Sequence, residues 1–455
     1  MKRNLLLFTA LFLTAIHLLA FDFEKNGIYY NQFRPKEVQV TSGTIEYSGS
    51  VNIPASVENN GVTYSVTCIW SYTFSNCQTL TNVTIPNTVT FIGEGAFSNC
   101  PKLTSVSLPN TITRIYDSTF SGCSTLSSIS IPNSVSIIDD DAFSYSGLTS
   151  VSIPNSVTTI GWNVFYDCLN LKTVNISGSV TSIGYYTFSF CSSLTAINVD
   201  VANQNFLSKD GVLFNKTMTN LIICPSGFST TYMMPNSVRE INNLAFADCR
   251  KLPSIVLSDN LVRIDDDAFV GCKSLTSITL PESLRLIGYD AFGECTSLTS
   301  ITIPANVEYI GNCSFISCPN LKSIHVKAPI PLVLDKDYPD TFLGLPTSTC
   351  VLYVPAGSKT AYQNAPQWWY FKNILEETTG TGIQTISAIE LGISAIGSKA
   401  LISDLIPGEL IQVFTVDGKI VFAEKATTRT IEIQLSKDKV YIIKVGAKCA
   451  KIIIK

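Results

Sequence analysis

Apolar residues fall in short bursts along the chain, separated by equally short polar stretches, and few segments sustain a 3.6-residue period. One stretch shows the pattern. In Ala96-Phe97-Ser98-Asn99-Cys100-Pro101-Lys102-Leu103, followed by Thr104-Ser105-Val106-Ser107-Leu108-Pro109, the side chains of Leu103, Val106 and Leu108 are expected to face inward. Val106-Ser107-Leu108 alternates with period two, which predicts a short strand. Pro109 ends it, since proline has no ladder hydrogen bond to donate. Asn110 to Ile115 predicts a second extended piece with Ile112 and Ile115 inward, and Asp117 to Phe120 turns the chain back.

This unit recurs. Phe74, Phe97, Phe120, Phe143, Phe165, Phe188, Phe246, Phe269, Phe292 and Phe315 mark it, at spacings of 23, 23, 23, 22, 23, 58, 23, 23 and 23. A single unit cannot bury its own apolar side, whereas stacked units give every inward residue a like neighbour above and below. The prediction is a mostly β solenoid of 23-residue coils, curved, with strands about 4.8 Å apart and a length on the order of 50 Å. The interval of 58 is one period plus a 35-residue insertion at about 200–234. Ser208 to Phe214 and Leu221 to Pro225 predict two strands around a polar turn at Asn215 to Asn220, either a hairpin bulging from the solenoid or a widened coil packed on its neighbours.

The periodic region spans 69–326. Residues 21–68 and 327–376 are expected to cap its open edges, because exposed strand edges must be covered. Trp368, Trp369, Tyr370 and Phe371 suit burial over the last coil, with a sugar-stacking platform as the alternative. Glu376 to Ile383 opens a polar linker, 377–390, and residues 391–455 read as a small C-terminal β-sandwich in which Asp417-Gly418 signals a hairpin.

Composition narrows the function. Only 15% of the 455 residues are charged, 45% are hydrophobic and the net charge is −4. A general nucleic-acid binder needs a basic footprint, which is missing. The start, Met1-Lys2-Arg3-Asn4 and then the apolar run Leu5 to Leu19, reads as an export signal over residues 1–20. No later segment approaches the roughly 20 apolar residues of a transmembrane helix. The two histidines are His17, inside that signal, and His325. A multi-histidine metal site is therefore excluded, any histidine-dependent catalysis falls to His325, and His325 reads as a partly packed strand residue. No catalytic set, cofactor site or metal site is assigned.

Nine of the 14 cysteines, Cys77, Cys100, Cys123, Cys168, Cys191, Cys249, Cys272, Cys295 and Cys318, stand three residues after a marker phenylalanine. A residue repeated once per coil reads as a ladder of small buried thiols rather than a disulfide framework, and any bridge is expected first at Cys313–Cys318 or between neighbouring rungs. Asp139-Asp140-Asp141 and Asp265-Asp266-Asp267 read as solvated turns. Thr84, Ser107, Ser130, Ser152, Asn175, Thr279 and Thr302 lie between inward residues and are expected to form an outward polar stripe. That stripe is either a recognition face for protein or glycan or plain solvation.

The motif Ala-Phe-x-x-Cys-x-x-Leu-x-x-Ile/Val-x-Ile/Leu-Pro, carried from Ile69 to Val326, resembles the BspA-type leucine-rich repeat family of bacterial surface proteins. Ile176 and Leu257 depart from it, being followed by Ser177 and Ser258. The segments Val413 to Lys419, Val440 to Val445 and Lys451 to Lys455 are similar to the C-terminal sorting domain of the type IX secretion system, with Lys439 and Val440 in place of a usual glycine. The resemblances imply a secreted protein, or one on the outer surface of a Gram-negative bacterium. They imply a non-enzymatic, monomeric adhesin for extracellular-matrix proteins such as fibronectin and fibrinogen, or for other cells, with glycan capture or a structural surface role as the alternative.

Overall fold

Each repeat must turn three times within 23 residues, and the computed structural model shows how. It describes residues 21–334, 340–377, 393–396, 398–403, 405, 407–415, 419–437, 439–445 and 448–454. The expected export signal at 1–20, most of the linker at 377–390 and the Asp417-Gly418 turn lie outside these residues. The chain divides into two compact units, residues 1–228 with 242–249 and residues 229–241 with 250–455. Both contain solenoid coils, and helix is confined to Lys359–Asn364 and a short 3-10 turn at Trp368–Tyr370 among the described residues.

In the first unit, strands Gly49–Asn52, Leu80–Thr84 and Ser105–Ser107 pair in parallel. So do Ser150–Ser152, Thr173–Ile176 and Ala196–Val199. A second parallel sheet takes the later strand of each coil: Arg114–Ile115, Ile137–Ile138, Thr159–Ile160 and Ser182–Ile183. Proline ends the first strand, and its carbonyl then closes a tight turn: Val89, Val135 and Val157 donate to Pro86, Pro132 and Pro154. In the second unit Leu261 donates to Ser258 in the same way, so the turn forms there without proline.

The third corner carries the marker phenylalanine. In the first unit the rings of Phe74, Phe97, Phe120, Phe143, Phe165 and Phe188 stack in file, with centroids 5.1 to 5.6 Å apart and planes within 6° of parallel. All are fully buried. In the second unit Phe269, Phe292, Phe315 and Phe342 form a like file. The backbone here is left-handed at two positions per coil, two residues before and two after the phenylalanine. Tyr72 and Asn76, Tyr186 and Phe190, and Leu244 and Asp248 all have φ between 54° and 61°. L-residues adopt this region at a cost of roughly 1–2 kcal/mol. The conformation turns N–H groups toward the next coil: Tyr72, Phe74 and Asn76 donate to Glu94, Ala96 and Ser98. The corner is thus a third intercoil ladder.

The cysteines follow from that ladder. Thirteen of the cysteines are free and buried, as the ladder reading expects, and Cys313 and Cys318 are among them, so the exception considered there does not occur. Cys313 occupies the left-handed position before its marker phenylalanine, with φ of 57°. The Cys318 thiol points to the previous coil, where it donates to the Phe292 carbonyl at 3.1 Å. Cys100, Cys123, Cys168, Cys191 and Cys295 likewise donate to Phe74, Phe97, Phe143, Phe165 and Phe269, at 2.9 to 3.2 Å. Cysteine here is more than a small hydrophobe: it fills the core and gives a buried carbonyl a weak donor.

The insertion forms three strands, not two. Phe206–Lys209, Val212–Asn215 and Asn220–Ile223 make an antiparallel meander. The apolar run Ser208 to Phe214 is itself folded at Asp210-Gly211. The element does not bulge away: Val212, Leu213, Phe214 and Leu221 are fully buried, and Ser208 Oγ donates to the Ile197 carbonyl of the preceding coil.

At the N-terminal end Tyr47 packs on Phe74 at 4.5 Å, and its hydroxyl donates to the Thr41 carbonyl. In the second unit the parallel ladder runs from Ser277–Thr279 through Ser300–Ile303, Ser323–Val326 and Val351–Pro355 to Asn373–Glu377. Trp368 is fully buried, edge-on to Phe342 and Tyr362, and its Nε1 donates to the Leu332 carbonyl, so its ring is unavailable for stacking sugar. The C-terminal residues form two antiparallel sheets. One holds Ile393–Ile396, Lys399–Ile402 and Ile431–Gln434, the other Ile420–Lys425, Leu410–Thr415, Lys439–Val445 and Lys448–Ile454. Ala400, Ile402 and Ile433 share a core with Ile411, Val413, Ile443 and Ile454.

Candidate binding surface

Strand alternation decides which side chains reach solvent. With Val83, Val151 and Val174 buried, the residue after each must point outward. Thr84, Ser107, Ser130, Ser152, Asn175 and Thr279 are exposed and Thr302 is half-buried. Strand register joins six of the seven with neighbours, and Ser130 lies outside any strand. Register places Thr84 beside Ser107, with Asn52 before them. It places Ser152 beside Asn175 and Asn175 beside Asn198. In the second unit Thr279 pairs with Thr302, Thr302 with His325, and His325 with Tyr353. Asn52, Asn198 and Tyr353 were missed in the sequence, although each sits between two apolar residues of a strand and could have been found by the same alternation.

Side-chain amides bind the second row together. Asn175 Nδ2 donates to Ser152 Oγ at 3.2 Å, and Asn198 Nδ2 donates to Asn175 Oδ1 at 3.0 Å. This row borders an open groove of about 840 Å³, lined by the polar side chains of Asn133, Asn155, Ser156, Ser177 and Asp200 together with Ile153, Ile176 and Val199. Such a lining offers donors and acceptors with apolar strips between them, and no fixed cation.

His325 stands between Thr302 and Tyr353 in the row of the second unit. Its ring stacks on Tyr353 at 4.4 Å and 8°, and Nδ1 lies 2.8 Å from Glu377 Oε1. Lys327 Nζ donates to Glu377 Oε2 at 2.6 Å. Burial pushes the Glu377 carboxyl up, but the hydrogen bonds from Lys327 and His325 outweigh it and the net shift is downward. A carboxyl depressed in the folded state stabilises above its ordinary value of 4.5, and that contribution is lost as pH falls through the folded value. Glu377→Gln is therefore expected to flatten the fall in stability below about pH 4.5, measured by urea denaturation from pH 6 to pH 3. An unchanged slope would count against the triad.

The acidic runs serve the corner ladders. Asp140 Oδ1 accepts the Trp162 N–H and Asp266 Oδ1 accepts that of Tyr289, both at 2.8 Å. Asp139 and Asp265 pair with Arg114 and Arg263. No helix among the described residues is long and apolar enough to cross a membrane.

A family model described as BspA type leucine rich repeat region matches residues 52–168, 115–232 and 224–333. A leucine rich cell surface protein of Faecalibacterium prausnitzii is 28% identical, with a TM-score of 0.50 and coverage of 67% of this chain and 94% of that one. A leucine-rich repeat protein of Bacteroides ovatus is 28% identical, with a TM-score of 0.50 and coverage of 78% and 100%. The pneumococcal vaccine antigen PcpA, 20% identical with a TM-score of 0.55 and coverage of 79% and 99%, is alike in fold. No curated protein matches the sequence.

Proposed function

The chain belongs to the BspA type leucine rich repeat family, and on that premise we propose that it is a secreted or cell-surface binding protein, not an enzyme, that captures extracellular-matrix proteins or other cells through its solenoid. The observation that carries this reading is the in-register polar row Ser152, Asn175 and Asn198 beside an open groove. Many modest contacts along such a row add up on a large partner, as at other solenoid surfaces.

The test is capture of the full chain on immobilised fibronectin and fibrinogen. Ser152→Lys with Asn175→Lys is expected to weaken capture at least tenfold while circular dichroism stays unchanged. Unaltered capture would remove the row from the interface. The groove's amides and hydroxyls also favour a second reading, glycan capture, which binding to a glycan array but not to matrix proteins would support.

The likeness of the last segments to a sorting domain supports an export role for the C-terminal residues. In that reading residues 391–455 direct export across an outer membrane and leave the chain on the surface of a Gram-negative bacterium. Deleting them should then retain the protein inside the cell.

A further inference from the structure

A second row of exposed side chains follows the later strand of each coil. Strands Arg114–Ile115, Ile137–Ile138, Thr159–Ile160 and Ser182–Ile183 are in parallel register, so the residues just past them stack coil upon coil. The backbone ties them directly. The N–H groups of Tyr72, Gly95, Ser118, Asp141 and Asn163 donate in turn to the carbonyls of Glu94, Asp117, Asp140, Trp162 and Tyr185. These last five are all exposed. Trp162 and Tyr185 are 54% and 56% exposed, and their rings hold each other edge-on at 5.6 Å and 82°. Two large aromatic side chains fixed at the surface in this way are far from ordinary surface filler.

Beside this row, one residue earlier in the coil, a cation is already held. The Arg114 guanidinium lies 5.2 Å from the Tyr116 ring centre, and its Nη2 donates to Asp139 Oδ1 at 2.7 Å. An aromatic face on one side and a carboxylate on the other is a cradle for guanidinium or ammonium. At the next position, Asp140 and Trp162 bring together the same two kinds of group on successive coils, joined by the Trp162 N–H to Asp140 Oδ1, and among the described residues no side-chain cation lies over Trp162 or Tyr185. Carboxylates at Glu94, Asp117 and Asp140 repel phosphate and sulfate and attract positive charge.

We propose that this row is a docking surface for a basic polypeptide segment, whose Arg and Lys side chains lie over Trp162 and Tyr185 and pair with Asp117 and Asp140. From Glu94 to Tyr185 the row crosses five coils, roughly 20 Å, the length of about six residues of extended chain. The inference deepens the binding reading above, on which it rests, but it uses different residues from the Ser152–Asn175–Asn198 row.

The test is fluorescence anisotropy of labelled nona-arginine with the full chain. Binding is expected to weaken with salt. Trp162→Ala with Tyr185→Ala should weaken it at least tenfold. Asp117→Asn with Asp140→Asn should weaken it at least fivefold. Glu58→Gln with Asp210→Asn, an equal charge change at exposed sites elsewhere in the same unit, should stay within twofold of wild type. Thermal denaturation verifies that each variant is folded. Equal weakening by the control pair, or wild-type binding by the row variants, overturns the proposal. So does binding of neutral laminarin through Trp162 without binding of nona-arginine. If nona-arginine fails to bind while matrix capture persists, this row falls and the binding reading stands. If it binds through the row while matrix capture fails, the row stands and the choice of matrix partner falls.

Discussion

Phe120→Ala is expected to destabilise the first unit by about 3–5 kcal/mol. The Phe120 ring is fully buried between Phe97 at 5.3 Å and Phe143 at 5.4 Å, with planes 1° and 6° from parallel. Truncation removes the transfer free energy of the ring and leaves a hole that neither neighbour can fill, because each is pinned by its own corner ladder. Phe120→Leu, which keeps most of the volume, should cost less than half as much. For a unit of this size the alanine variant should melt on the order of 10 °C lower, read by calorimetry. A loss below about 1 kcal/mol would mean that the ring file is a by-product of coil stacking and not one of its causes.

The ring file was legible in the sequence because every coil repeats one environment, so the phenylalanines and cysteines recur at a fixed interval. The left-handed corners were not. Positive φ is usually announced by glycine, but here Tyr72, Tyr145, Phe190 and Leu244 adopt it, and at Tyr72 and Tyr145 an N–H bond to the next coil rewards the conformation. The aromatic and acidic row was hidden for a related reason. Glu94, Asp117, Asp140, Trp162 and Tyr185 share a position, three residues before successive marker phenylalanines, but not a residue type, so no repeated residue draws attention to them. The outward polar residues were legible by alternation, whereas the hydrogen bonds between their side chains depend on how neighbouring strands pair. The third insertion strand was missed because Asp210-Gly211 sits inside one apolar run.

The cysteine rungs lead to the other large effect. Cys123 Sγ donates to the Phe97 carbonyl at 3.1 Å, and burial pushes its thiol up to about 12. Cys123→Ser keeps a donor at this site, and serine already occupies the matching position at Ser146, so the change should cost about 1 kcal/mol. Cys123→Val removes the donor from a buried carbonyl and should cost about 1–3 kcal/mol. Cys123→Asp puts a carboxyl into a fully buried, apolar position and should cost more than 3 kcal/mol, enough to unfold the neighbouring coils. The wild-type thiol also couples stability to alkali. Its folded value lies above the ordinary 9.0, so the unfolded chain loses the proton first. The stabilising contribution is complete below pH 9 and is lost as pH rises toward about 12. Chemical denaturation from pH 8 to pH 11 should therefore show a steeper decline for wild type than for Cys123→Ser, whose hydroxyl does not titrate there. Parallel declines would mean that this thiol ionises as readily in the fold as in the open chain, which its place behind the Phe97 carbonyl does not permit.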